Sequence, residues 1–223
     1  MIEVTYVDHM GSDLSVVNAA RVSFGKKSDW LPRVHNGEQL VLTPKDAKLI
    51  SYLAKHQHKS PFNHAFATFH VKAPIFVARQ LQKHEYMPWN EISRRYVDSE
   101  PEFYQPDVWR GRSEDKKQGS DGVVDVSYKS ISALAKHEMW CMKTYKQLLE
   151  DGIAPEQARM VLPQSMMTEW YWSGSVHAFA KMCGLRLKPD AQYETRIVAE
   201  QIEDKMTELF PESWTALRAY DDT

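Results

Sequence analysis

Apolar and polar side chains follow two different periods along this 223-residue chain. Residues 2–7 alternate between apolar and polar side chains, and residues 65–73 are rich in Phe and Val, so both segments are predicted to be strands. Longer segments repeat apolar residues at helical spacing, and one of them begins with Thr43 and Pro44, which favour a capped helix start. The predicted helices cover approximately residues 13–22, 43–59, 75–82, 127–150, 155–162, 175–183 and 190–209.

Strands are few in this pattern and do not alternate regularly with helices, which favours the α+β class over a doubly wound sheet. We expect one domain over residues 1–223, built on a mixed β-sheet flanked by long helices, because neither a repeat nor a linker divides the chain. Residues 25–39 are predicted to form a long polar loop. Residues 110–122 are rich in Gly and charged side chains and are predicted to be a mobile surface insertion.

The charge balance restricts the partners that we expect. A net charge of −2 provides no basic surface for nucleic acid or for an anionic membrane, so an anionic ligand must be bound by local clusters of Arg and Lys. Cys141 and Cys183 lie far apart in apolar helical patterns, which predicts core positions rather than a disulfide or a metal site. Neither a signal-peptide pattern nor an apolar run of the ~18 residues that span a bilayer is visible, so a cytoplasmic location is expected.

Histidine and serine chemistry are both disfavoured by the local patterns. His56, His58 and His64 are close in sequence, but no HExxH-type pair supports them, so no metal site is predicted. Ser93 lacks the flanking glycines of a nucleophile elbow, which argues against Ser-His-Asp hydrolysis.

Residues 83–96 form the most polar functional candidate in the chain. This run contains Lys, His, Asn, Ser, two Glu and two Arg, and it directly follows the apolar residues 73–78. A buried element that ends in clustered donors and charges is typical of a polar ligand site. The alternative is a solvated helix face. The interleaved Tyr86, Trp89 and Tyr96, together with Pro88, argue against that alternative.

Several arginines are candidates for anion binding. Arg94 and Arg95 flank Ser93, whereas Arg159 and Arg186 are single charges in apolar surroundings. A partly buried guanidinium requires a partner, because an uncompensated charge there is costly. One possibility is an internal salt bridge, with Glu91 or Glu169 as the acid. The other is a ligand phosphate or nucleobase edge, which the planar guanidinium fork matches.

These residues resemble the signature of the flavin-dependent thymidylate synthases, which is Arg-His-Arg, seven residues, Ser and commonly Arg-Tyr. The matching run here begins at His84 and continues through Asn90-Glu91-Ile92-Ser93-Arg94-Arg95-Tyr96. Further segments resemble family segments in the same order, namely residues 19–24, 56–62, 69–80, 158–163 and 185–186. The resemblance therefore extends over most of the chain.

The resemblance implies reductive methylation of dUMP to dTMP by a homotetramer whose active sites are shared between subunits. It implies FAD as cofactor, methylenetetrahydrofolate as carbon donor and NADPH as reductant. It implies catalytic roles for Ser93, which with Arg95 would hold the phosphate, and for Arg186, which would polarise the uracil. By the same match, the residues expected to bind the nucleotide are Gln80, Lys83, Ser93, Arg94, Arg95, Arg159 and Arg186. Those expected to bind the flavin are Ser23, His58, Ser60, Lys83, His84, Glu85, Glu91, Ser175, His177 and Lys181.

The chain departs from the family pattern mainly on the flavin side. Lys83-His84-Glu85 stands in place of Arg-His-Arg. Lys83 keeps the positive charge but lacks a planar guanidinium group, and Glu85 reverses the charge. Ser175 and His177 stand where family members often carry Asn and Arg. Two alternatives therefore stay open beside dUMP methylation. One is different chemistry on a pyrimidine deoxynucleotide, such as hydroxymethylation, and the other is a nucleotide-binding protein that has lost flavin chemistry.

Overall fold

A computed structural model describes residues 1–31, 41–97, 99–114 and 119–220 of the chain. Its strands are β1 (Glu3–Met10), β2 (Phe66–Pro74), β3 (Trp89–Glu91), β4 (Arg110–Arg112), β5 (Ser120–Val123) and β6 (Met167–Ser175). Its α-helices are α1 (Asp13–Arg21), α2 (Pro44–Lys55), α3 (Ile75–Leu81), α4 (Tyr128–Glu150), α5 (Pro155–Ala158), α6 (Val176–Arg186), α7 (Tyr193–Leu209) and α8 (Pro211–Ala219). Among these ranges, no helix is both long and apolar enough to cross a membrane.

The main sheet has the strand order β1-β2-β6-β3, with antiparallel neighbours throughout. The α+β class and both predicted strands are thereby confirmed, whereas the strand directions are antiparallel rather than mixed. Alternate residues of β2, including Phe69 and Val71, are fully buried and pack toward the helices. Phe179 of α6 meets Phe69 and Trp172 edge-on at centroid distances of 5.2 and 5.4 Å. Full burial of each such ring contributes on the order of 2 kcal/mol.

β6, the strand that joins β2 to β3, was not predicted from the sequence. Thr168, Trp170, Trp172 and Gly174 are buried on one face, whereas Glu169 and Ser173 on the other face are partly exposed and Tyr171 is 52% exposed. The buried face therefore includes a Thr and a Gly and the open face includes an aromatic ring, so burial alternates along β6 but hydrophobicity does not. The remaining signal was its content of Thr, Trp and Tyr, which are common in strands.

Helix starts were predicted with mixed success. Thr43 caps α2 as expected, because its Oγ1 accepts a hydrogen bond from the Asp46 amide at 3.1 Å. The predicted cap at Asp190 is wrong, since α7 begins at Tyr193 with Gln192 in the cap position. The structure also adds α8, which begins at Pro211 directly after α7 and was not recognised as a separate helix.

The long helix α4 is less buried than its sequence pattern suggested. Only Glu138 and Tyr145 of its 23 residues are buried. Ile131, which was expected to point inward, is 46% exposed. Cys183 is buried as predicted, whereas Cys141 on α4 is only partly buried, and its Sγ lies 3.5 Å from His137 Nε2.

The glycine-rich segment has more structure than predicted at its two described ends. β4 and β5 pair as an antiparallel hairpin, with Arg110 opposite Val123. Residues 115–118 of this predicted insertion lie outside the described residues, as do residues 32–40, which include most of the predicted 25–39 loop.

Candidate functional site

Three predicted site residues meet at the end of α3. Arg186, the last residue of α6, donates from Nε to His84 Nε2 at 3.0 Å and from Nη2 to the Gln80 main-chain carbonyl at 3.3 Å. That carbonyl is free to accept because it lies in the last turn of α3, where intrahelical partners run out. The fold therefore brings Gln80, His84 and Arg186 together, although they are spread over more than 100 positions.

Burial and charge set the protonation state of this cluster. Burial, together with the nearby cations Arg186 and Lys181, lowers the pKa of His84 to about 4. His84 is therefore a neutral imidazole at pH 7 and accepts the Arg186 hydrogen bond. Burial also lowers the pKa of Arg186. Among the described residues no carboxylate pairs with Arg186, so its positive charge remains available to an anionic or strongly polarised ligand.

The Gln80 side chain lies on the wall of a cavity of about 500 Å³. Its amide oxygen Oε1 accepts a hydrogen bond from Thr195 Oγ1 at 2.9 Å. The cavity combines aromatic surfaces with charged and amide groups, among them Phe76, Trp109 and Arg110. Tyr104 also lines it, and burial, with the nearby Glu194 carboxylate, raises the pKa of this phenol to about 12. Such a mixture suits a planar polar ligand.

A second cavity, of about 470 Å³, contains the arginine cluster. Arg79, Arg94 and Arg159 line it together with Glu91. Glu91 is engaged elsewhere, because its carboxylate accepts hydrogen bonds from Thr168 Oγ1 at 2.6 Å and from Trp89 Nε1 at 3.2 Å.

The internal salt bridge considered for these arginines does not form among the described residues. Arg94 donates to the Ser99 carbonyl, and Arg159 donates to the Glu156 carbonyl at 3.3 Å. Glu169, the other candidate acid, pairs with His70 at 3.2 Å. Glu91 and Glu156 also line this cavity, but among the described residues neither forms an ion pair with Arg94 or Arg159. Guanidinium groups bonded only to neutral carbonyl oxygens keep further donors for an anionic ligand.

Ser93 and Arg95 form a separate exposed group. Ser93 Oγ accepts hydrogen bonds from Arg95 Nε at 3.1 Å and from the Arg95 amide at 3.3 Å. The Arg95 guanidinium also lies 4.9 Å from the Tyr96 ring centroid. Neither residue lines the two cavities described above. Within one chain, the residues predicted to bind the nucleotide therefore fall into separate groups.

The predicted flavin residues share a third cavity, of about 180 Å³, in part. His58, His177 and Lys181 line it, and Lys59 and Phe62 join them. Burial lowers the pKa of His177, and Lys59 and Lys181 contribute to the same shift. Among the described residues that line this cavity none is Asp or Glu. Two ammonium groups without a carboxylate fit a phosphate-bearing group such as the diphosphate of FAD.

The other predicted flavin residues lie outside this cavity. Ser175 Oγ caps α6 by accepting from the Ala178 amide at 3.1 Å and donates to Asn63 Oδ1 at 2.7 Å, so its hydroxyl already has two partners. Ser23 and Ser60 are exposed on short 3-10 helices. Lys83 and Glu85 are exposed as well, and in the described part of the chain neither forms an ion pair.

Three residues had no role assigned from sequence, two of which line these cavities while the third contacts a residue that does. Arg79 and Lys59 both lie within segments that resemble the family, so their positive charge beside a predicted site residue was an available signal. Thr195 lies far from every motif in the sequence, and only the fold places it against Gln80.

The chain matches a known family model and many named relatives. Residues 5–212 match the model of the family described as thymidylate synthase complementing protein. A flavin-dependent thymidylate synthase of Thermus thermophilus is 41% identical over 217 residues, which cover 97% of this chain and 76% of that protein. One of Thermosipho africanus is 40% identical over 212 residues, which cover 94% of this chain and 86% of that protein.

A solved structure also shares the fold. The UMP/dUMP methylase PolB of Streptomyces cacaoi, crystallised with 5-Br dUMP, superposes with a TM-score of 0.83 at 32% sequence identity. The superposition covers 99% of this chain and 96% of that one. The family model, the identities and the shared fold agree with the residue pattern around His84 and Ser93, and this chain belongs to the flavin-dependent thymidylate synthase family.

Proposed function

We propose that this protein is a flavin-dependent thymidylate synthase that methylates dUMP to dTMP. The observation that carries the proposal is the Arg186 cluster, in which a partly buried guanidinium meets a neutral His84 and no carboxylate among the described residues. A cation held in this way stabilises negative charge that develops on a bound ring. In a uracil, that charge falls on the carbonyl oxygens when C6 accepts a hydride.

The arginine cavity and the exposed Ser93–Arg95 group suit the phosphate of dUMP. A phosphate dianion accepts several charge-assisted hydrogen bonds at once, and guanidinium groups provide them in a planar fork. Arg94 and Arg159 line one cavity with Arg79, and Arg95 with Ser93 presents further donors. Ser93 and Arg95 would hold the phosphate, while Arg186 would hold the uracil.

A shared active site in a homotetramer is part of the proposal. Gln80 and Arg186 belong to one group, and Arg159 belongs to a different cavity of the same chain. A single nucleotide contacts both groups most simply when the second group comes from another copy of the chain. The division of the predicted residues supports this arrangement.

FAD is the proposed cofactor, with NADPH as reductant and methylenetetrahydrofolate as carbon donor. Lys59 and Lys181 would hold the flavin diphosphate, and His58 and His177 would flank it. When bound, the flavin supplies the hydride that completes the methyl group. The protein's own part is to bind the nucleotide, to orient its ring and to keep His84 neutral beside Arg186.

The product mass tests the proposal. The purified protein is incubated without oxygen with dUMP, methylenetetrahydrofolate, FAD and NADPH, and the nucleotide is analysed by mass spectrometry. A gain of one CH2 supports thymidylate synthesis. A gain of CH2O would instead establish hydroxymethyl transfer, and unchanged dUMP with nucleotide still bound would establish a binding protein without flavin chemistry.

Arg186→Gln tests the central residue. We expect kcat/KM for dUMP to fall by about 10²–10³-fold, because a preorganised charge at the developing oxyanion is lost. The matched control is Arg112→Gln, which removes an exposed arginine of the hairpin that lines none of the cavities described above. Equal activity of the two variants would contradict the role assigned to Arg186.

A further inference from the structure

We propose that Thr195 is a positioning residue of the nucleotide site, which holds the Gln80 carboxamide in its binding orientation. The inference rests on the proposed function, in that Gln80 is taken to contact dUMP. Thr195 itself lines none of the cavities described above and would act only through Gln80.

The contact is a buried hydrogen bond between two helices. Thr195 is the third residue of α7 and is fully buried, and its Oγ1 donates to Gln80 Oε1 on α3 at 2.9 Å. The hydroxyl of a buried threonine requires an acceptor, because water cannot replace a missing partner. Here the acceptor is a side chain on the wall of the 500 Å³ cavity rather than a carbonyl of α7 itself.

The hydrogen bond from Thr195 fixes the orientation of the Gln80 side-chain amide. A glutamine side chain carries one acceptor oxygen and one donor NH2 group. Because Oε1 faces Thr195, the Nε2 hydrogens point away from that bond, and among the described residues they have no partner, so they remain for a ligand. Gln80 therefore presents donors, which match a carbonyl or phosphate oxygen of the nucleotide and disfavour an amino group at the same place.

The first turn of α7 is itself firmly held, so the position of Thr195 is well defined. Arg196 Nη2 donates to the carbonyls of Pro189 at 3.0 Å and Ala191 at 3.2 Å. Glu194 Oε1 accepts from Arg110 at 2.5 Å. Arg186 also fixes the Gln80 main chain. Gln80 is thus held by α6 through its backbone and by α7 through its side chain, as a preorganised binding residue requires.

Two substitutions separate the hydroxyl from the shape of the side chain. Thr195→Val keeps the volume and removes the donor, whereas Thr195→Ser keeps the donor and loses one methyl group. The dUMP dissociation constant is measured by calorimetry on the FAD-loaded protein. We expect about tenfold weaker binding in Thr195→Val, the effect of about one hydrogen bond, and near wild-type affinity in Thr195→Ser. FAD affinity and the turnover number at saturating dUMP should stay close to wild type.

A double-mutant cycle shows whether Thr195 acts through Gln80. In a Gln80→Met background, Thr195→Val should have no further effect on dUMP affinity, because the bond is already absent. Full additivity, or an unchanged dUMP affinity in Thr195→Val, would overturn the inference while leaving the proposed function in place. A parallel loss of FAD affinity would also overturn it, since that result marks a general structural role. Failure of the wild-type protein to bind dUMP would overturn both proposals.

Discussion

Among the single side chains, His84 and Arg186 show how burial changes a protonation state and thereby allows two basic groups to form a hydrogen bond. Two groups that are both cationic in acidic water lie 3.0 Å apart because the imidazole gives up its proton. Burial is the largest cause of its lowered pKa, and Arg186 is the next. The neutral ring then accepts a hydrogen bond from Arg186 and leaves the remaining guanidinium donors for a ligand.

Removal of the Arg186 charge should raise the pKa of His84. We expect the pKa to rise from about 4 toward its ordinary value of 6.5 in Arg186→Gln, but not to reach it, because burial still disfavours the charged ring. The measurement is an NMR titration of the histidine ring protons. Lys181→Gln is the matched control, since Lys181 is a smaller cause of the same shift and its loss should raise the pKa less. An unchanged His84 titration in Arg186→Gln would refute this account.

The same lowered pKa makes stability depend on pH. The folded state binds the His84 proton less tightly than the unfolded state, whose pKa is near 6.5. The contribution of His84 is therefore complete above pH 6.5 and is lost as the pH falls toward 4. After allowance for solvent screening of this half-buried group, the loss is on the order of 1–2 kcal/mol. The free energy of unfolding, measured by urea denaturation across this range, should decline less steeply in His84→Gln.

Local sequence identified the chemistry of the site better than its geometry. The run around His84 and the isolated Arg186 were chosen from sequence, and the fold places them in contact. The separation of Ser93 and Arg95 from that cluster was not predictable, because it depends on the turn after α3. Tyr86 has a φ of 60° in that turn, a conformation that no pattern around it indicates.

Among the strands, the residue types at the buried positions decided which element could be recognised from sequence. β2 has one face buried and one face partly open, and its pattern was recognised. β6 also buries one face, but Thr168 and Gly174 lie on that face and Tyr171 lies on the exposed one, so it was missed although it joins β2 to β3. The α+β class still emerged, because it depended on the helices and on the scarcity of strands.

The hairpin of β4 and β5 was expected to be mobile, and one residue explains why its described ends are docked. The Arg110 guanidinium lies 3.7 Å from the Tyr193 ring centroid and pairs with Glu194 at 2.5 Å, while its Nε donates to Ser120 Oγ at 2.9 Å. The side chains of Arg110 and Glu194 are only 19% and 10% exposed. From the composition alone such an arginine is taken as solvated, because its acidic partner Glu194 is more than 80 positions away.

Arg110→Ala should destabilise the protein by about 1–3 kcal/mol, because Glu194 is left as a largely buried carboxylate without its partner. Chemical denaturation measures this change, and limited proteolysis within the hairpin should become faster. Arg110→Lys should give an intermediate result, since it keeps the charge and loses the planar stack on Tyr193. Arg112→Ala is the control, because Arg112 is exposed in the same strand. If Arg110→Ala and Arg112→Ala proved equally stable, the hairpin would not be held in this way.

For the molecule as a whole, the long helix α4 leaves most of its surface uncovered. Only two of its residues are buried, yet it carries an apolar stripe at helical spacing. Tyr128, Ile131 and Met139 of this stripe are 84%, 46% and 60% exposed, and Ala135 lies exposed between them. Spacings of three and four residues place these side chains along one face, as in helices that pack against a partner helix.

The exposed stripe and the divided nucleotide residues lead to one prediction about assembly. We expect the protein to be a tetramer near four times its 25.9 kDa chain mass, with α4 at a contact between copies. Met139→Glu should dissociate it, because a carboxylate in a packed apolar interface is costly. Light scattering coupled to size-exclusion chromatography measures the mass. Lys129→Glu, an exposed charge change away from the stripe, is the control and should leave the mass unchanged.

Dissociation should also abolish turnover, because each site would then keep Gln80 and Arg186 but lose the second group of nucleotide residues. A fully active Met139→Glu monomer would show that one chain completes the site alone.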